Sequence, residues 1–161
     1  MQNTDDTFKR ALAKLLVEVF DGPPGREAYM LNPGDPGLIG QLESIDAASA
    51  SARPMPGKTT IAAHVDHVVY GLSLLNRWSA GEANPWADAD WNASWQRGVV
   101  TDDQWRKLRD SLREQALMWQ TAVAALADWD DIAAAGTLAS VAHTAYHLGA
   151  IRQILAALNK G

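Results

Sequence analysis

The 161-residue chain contains no cysteine, which excludes disulfides, thiolate metal ligands and a cysteine nucleophile together. It has no run of lysine or arginine, and its formal net charge of -5 offers no electrostatic footprint for nucleic acid or an anionic membrane surface. No stretch approaches the ~18 uninterrupted apolar residues of a membrane span. The amino terminus, MQNTDDTFKR, lacks the apolar core of a secretory signal. A cytoplasmic protein with neither nucleic acid nor membrane as partner is therefore expected, and the sequon Asn92-Ala93-Ser94 carries no meaning without export. No segment alternates as a strand does, and no repeat recurs at a fixed period.

Hydrophobic residues make up 47% of the chain, which sets disorder aside and suits one domain over residues 1–161. Thr4 reads as the N-cap of a first helix carrying Phe8, Leu12, Leu15, Leu16 and Val19, stopped by Gly22-Pro23-Pro24. A Pro- and Gly-rich connection follows over 21–57, with a short extra helix expected near 35–48. A second long helix runs from Thr59 or Thr60 to Trp78, with Ile61, Val65, Val68, Leu72 and Leu75 as its apolar stripe. A Trp-rich connection covers 81–100, and a third long helix opens at Thr101 and reaches about Ala127. The last helix spans Thr137 to Leu158 and is apolar around most of its circumference, the pattern of a helix buried among others. Ala133-Ala134-Ala135-Gly136 reads as a joint before it. Together these predict an all-α four-helix bundle with long crossover connections.

All four histidines fall in two helical pairs, His64/His67 and His143/His147. Spacings of three and four residues put each pair on one helix face, and imidazole is the commonest ligand for borderline divalent metals. Two such helices facing each other could share one cation. The alternative is four core histidines bonded to carbonyls or carboxylates. On the stripe of the second helix, His64 lies nearer the apolar centre than His67, at ~100° per residue.

The segment Thr60-Ile61-Ala62-Ala63-His64-Val65-Asp66-His67-Val68 resembles the second-helix motif of the DinB/YfiT-like metalloproteins. Val141-Ala142-His143-Thr144-Ala145-Tyr146-His147-Leu148-Gly149-Ala150-Ile151 resembles their last-helix H-x-x-x-H-x-G motif. The resemblance implies a usually dimeric bundle binding zinc or nickel through His67, His143 and His147, with His64 a group behind the ligands or a fourth ligand. Leu148 and Ala150 depart from the frequent H-R-G-Q ending, which removes any substrate contact made there by Arg and Gln. Three neutral imidazoles leave a coordination position open, as in catalytic sites. The resemblance therefore implies a metal-dependent hydrolase, or a transferase using a low-molecular-weight thiol, on an unidentified small molecule. The competing expectation is a non-catalytic, stress-related or interaction bundle whose metal is structural or absent.

Other residues are open to two readings each. Trp78, Trp86, Trp91 and Trp95 can line a pocket mouth or a dimer interface, or simply anchor the loop. Tyr70 and Tyr146 can reach a ligand or pack. Asp66 and Glu43 are candidate acceptors for an imidazole N–H, and Arg152 calls for an acidic partner or a substrate anion. Gly57-Lys58-Thr59 mimics the end of a phosphate loop, but Ala52 replaces its first glycine and no strand precedes it.

Overall fold

The computed structural model describes residues 2–54, 59–126 and 129–159, with side chains from Asp6 onward. Gly57, Lys58 and Ala127 lie outside the described residues. Among those described, all regular structure is helical: α1 (Gln2–Asp21), α2 (Leu38–Glu43), α3 (Ala47–Ser51), α4 (Ile61–Ser79), a 3-10 turn (Ala93–Trp95), α5 (Asp102–Ala125) and α6 (Asp131–Leu158).

The boundaries follow from side-chain caps. Thr60 caps α4 by accepting from the Ala63 N–H, and Thr101 forms a capping box with Gln104 at the start of α5, satisfying donors that the first turn leaves free. Three boundaries differ from the sequence expectation. Thr4 lies inside α1, which already begins at Gln2. Asp46 accepts from the Ser49 N–H and so opens a new helix, which divides the expected helix near 35–48 into α2 and α3. Asp130 accepts from the Ala133 N–H and starts α6 ahead of Thr137. The alanine run has the best intrinsic helix propensity, so Ala133–Gly136 continues the helix and is no joint.

The long helices α1 and α4 each lie against both α5 and α6. Their shared core includes Leu16, Phe20, Ile61, Val65, Leu112, Trp119 and Ile151, all essentially inaccessible. Trp119 sits at its centre, where its indole N–H donates to Ser140 Oγ of α6 at 2.9 Å. Trp105 donates to the Ile45 carbonyl at 2.6 Å, which ties α5 to the α2–α3 corner. The all-round apolar character of α6 does not mean all-round burial. Ile132, Leu138 and Tyr146 are 65%, 50% and 68% exposed, so one face of that helix looks outward. Arg152 donates to the Pro36 carbonyl at 2.8 Å and pairs with Asp35 at 3.4 Å. Its partners thus come from the connection ahead of α2, and the guanidinium is occupied there.

That first connection is held by a buried carboxylate. Gly22, at φ +95°, turns the chain out of α1, a conformation glycine adopts without Cβ strain. Glu18 then accepts from the backbone N–H groups of Tyr29, Met30 and Leu31 at 2.7–3.0 Å. Burial alone would raise its pKa, but the donors of Leu31, Met30 and Tyr29 together outweigh it and hold the carboxyl below its ordinary value. A depressed carboxylate stabilises the fold fully above the unfolded-state pKa and loses that contribution as pH falls through the folded one. Glu18→Ala should therefore cost about 3 kcal/mol near neutral pH, read by urea unfolding. The gap to the parent protein should be constant above pH ~4.5 and narrow as the acid range is entered.

Candidate metal centre

α4 and α6 face each other, and their histidines meet between them. His64, His67 and His147 are 5%, 7% and 1% exposed, while His143 is half-buried. One ring nitrogen from each of His67, His143 and His147 lies within 4.8 Å of the other two. The Nε2 atoms of His143 and His147 are 3.0 Å apart, close to the ligand–ligand edge expected for metal–nitrogen bonds of ~2 Å. His64 and His67 are buried to nearly the same degree, so the stripe argument does not separate them. What separates them is where their nitrogens point.

The hydrogen bonds fix the proton on His67. Ser94 Oγ donates to the Trp91 carbonyl at 2.7 Å, a group that can only accept. The 2.7 Å contact between Ser94 Oγ and His67 Nδ1 must then be donated by the imidazole. His67 Nε2 is left with a bare lone pair. A second chain of bonds serves His147: its Nδ1 lies 2.8 Å from His64 Nδ1, and His64 Nε2 lies 2.9 Å from Thr59 Oγ1. This chain can run in two directions. Only when His147 Nδ1 donates to His64, and His64 Nε2 donates to Thr59, is the His147 Nε2 lone pair free. Both nitrogens of His64 are thus engaged, Nδ1 by His147 and Nε2 by Thr59, the position of a group behind a ligand.

The rings are also neutral near pH 7. Burial pulls down the pKa of His64 and of His143. Burial, followed by repulsion from His143 and His64, lowers His67 to about 4. Burial, with His143, His64 and His67 adding to it, takes His147 to about 3. Neutral imidazole is the ligating form, so the donor set suits a borderline divalent cation without proton release. Asp66 and Glu43 are not the imidazole partners: Asp66 pairs with Arg97 at 2.8 Å and Glu43 with Arg113 at 3.3 Å.

The tryptophans of the second connection cover this group. Trp95 stacks on His67 at 4.2 Å between centroids and meets His64 edge-on at 5.3 Å. Trp91 packs against His67 at 5.6 Å. Tyr70 accepts from the Asp90 N–H at 2.9 Å and packs edge-on against Trp91, so it anchors the loop. Tyr146 touches His147 edge-on at 5.0 Å from the exposed side. Trp78 sits apart, between Trp86 and Trp119. Sequence reasoning missed Ser94 and Thr59 as partners of the rings. Ser94 stood in plain sight as the third residue of the sequon, but nothing local marks a serine as the acceptor for a histidine on another element.

A family model described as the DinB superfamily matches residues 38–151, a span from α2 through all four histidines, and the chain belongs to that family. Comparison with curated proteins and with solved structures gave no match. No helix among the described residues is long and apolar enough to cross a membrane, and the three-histidine cluster could hold a metal ion.

Partners of metal-ligating imidazoles typically contribute 10–100-fold in affinity. Ser94→Ala and His64→Ala are each expected to weaken zinc binding by roughly that factor with stoichiometry unchanged. Competition against a chromophoric chelator measures both quantities.

Proposed function

We propose that this DinB-superfamily protein is a metal-dependent enzyme, a hydrolase or a low-molecular-weight-thiol transferase. His67, His143 and His147 hold one zinc or nickel ion in it. The observation that carries the reading is the convergence of three neutral ring nitrogens within 4.8 Å of one another. Three imidazoles are neutral ligands and fewer than a closed structural site uses, and a divalent ion held by them would supply Lewis-acid polarisation of an oxygen or sulfur atom.

The chain's own residues do the rest. Ser94 and His64 orient two of the rings, and Ser94 fixes the tautomer of His67. Trp95, stacked flat on His67, excludes water from that side. His143, half-buried, forms the side from which a small molecule can approach. In this reading the four long helices are one four-helix-bundle domain over 1–161 with crossover connections. The exposed apolar face of α6, with Leu138 and Tyr146 on it, supports a homodimer through that face, since large exposed apolar patches mark interaction sites.

Protein purified without a histidine tag and reconstituted with zinc or nickel should carry about one ion per chain. Binding to the native state alone raises stability by about 2.7 kcal/mol at a hundredfold excess over Kd, so thermal unfolding should shift upward with metal. His147→Ala and His67→Ala should keep the helical circular dichroism spectrum and lose both the ion and the shift. Stoichiometry that stays near zero after reconstitution of the parent protein ends the proposal.

A further inference from the structure

Beside the histidines lies a cavity of about 300 Å³ between α4 and α6, roofed by Trp86 and Trp91. Gly71, Leu72 and Leu75 form its α4 wall, and Gly136, Ala139, Ser140, His143 and Thr144 its α6 wall. Among the described residues that line it, His143 is the only ionisable group. The Ser140 hydroxyl already donates to the Thr137 carbonyl and accepts from Trp119, so it has little to offer a ligand. A charged or strongly polar guest would lose its hydration here without replacement.

Two features show that the space is kept open. Gly71 and Gly136 are both interior to long helices, where glycine costs ~1 kcal/mol against alanine, and both border this cavity. A Cβ on Gly71 would already meet His143 Cε1 at 3.7 Å and Trp91 at 3.9 Å, so a longer side chain there would fill the gap. A Cβ on Gly136 would have nothing within 4 Å, so a side chain could be added there without a clash. Trp86 and Trp91 are 37% and 41% exposed, which leaves apolar ring surface at the mouth. An engineered apolar cavity of ~150 Å³ accepts benzene; twice that volume takes an aryl or branched-alkyl group with room for a linker.

Resting on the metal reading above, we infer that the substrate is a two-part molecule. An apolar arm, aryl or branched alkyl, fills the Gly71–Gly136 cavity, and a small metal-ligating head carried on it reaches the triad past His143. His143 belongs to both parts: its Nε2 faces His147 while its ring walls the cavity.

Hydroxamates of equal head and different arm test this on the cobalt-loaded protein, with visible absorption reporting the head and tryptophan fluorescence the arm. Phenylacetohydroxamate should bind at least tenfold more tightly than acetohydroxamate. Ala139→Leu and Gly136→Leu, which place a good helix former at the cavity wall, should each abolish that preference. Acetohydroxamate affinity and cobalt stoichiometry should stay unchanged. Equal affinity of the two probes in the parent protein, or a preference that survives both variants, overturns the cavity assignment and leaves the metal reading standing. If the protein takes up no cobalt, yet its fluorescence responds to phenylacetohydroxamate and Ala139→Leu removes the response, the apolar arm site holds. The metal-bound head then fails.

Discussion

A neutral imidazole has one N–H to give, and the direction in which each buried ring gives it decides what the centre of this protein can hold. If Ser94 offered its proton to His67, the ring would have to carry its own proton on Nε2, pointing it into the cluster. Because the Trp91 carbonyl takes the serine proton, the imidazole proton is turned outward and the lone pair inward. Along Thr59, His64 and His147 the bonds can run either way, and the direction that ends on Thr59 is the one that frees His147 Nε2. Among the described residues, no hydrogen bond joins a carboxylate to any of these rings, and Asp66, on the same helix as His64 and His67, is paired with Arg97. With no negative charge to compensate, protonated rings would repel one another in a desolvated space, and the cluster stays neutral.

The two sides of the cluster are unlike. Behind His147 and His67, the space is filled by His64, Ser94 and Trp95, with the rings in contact and the polar atoms of His64 and Ser94 hydrogen-bonded. On the side of His143, Gly71 and Gly136 contribute no side chain, and the rings of Trp86 and Trp91 remain partly in solvent. The groove between α4 and α6 reaches the cluster at His143. A ligand's first contacts there are with carbon rather than with charge.

Much of this was legible in the residues. The two histidine pairs, the caps at Thr60 and Thr101 and the apolar stripe of α4 are all local signals, and each appears where its spacing places it. The resemblance carried by the segments around His67 and His143–His147 agrees with the family to which the chain belongs. What could not be read is tertiary. Whether His64 or His67 turns toward the triad depends on Ser94 and Thr59, which approach from a loop and from a helix-flanking segment. Gly71 draws no reading and Gly136 reads only as part of a joint, because emptiness shared by two elements has no one-dimensional signature. The outward face of α6 was misjudged for a related reason: apolar composition gives the environment a helix needs, not the chain that supplies it. The early start of α6 was a competition between one Gly136 and three alanines behind an Asp130 cap, and local propensity won.

The division of labour between bundle and connection follows from these placements. The three candidate ligands sit on α4 and α6 at fixed helical spacing, within a core centred on Trp119 that any displacement would disturb. Trp86, Trp91, Ser94 and Trp95 come from the connection between α4 and α5, anchored by Tyr70 to the Asp90 N–H and by Asp90 to the Ala93 N–H. The helices therefore set the geometry of the donors, while an irregular segment sets the tautomer of His67, its cover from water and the shape of the groove mouth. Loops tolerate sequence change that packed helices do not. Changes at Trp86 or Trp91 would accordingly alter the mouth of the groove, whereas a change at Ser94 or along the His64–His67 or His143–His147 turns would act on the donors themselves.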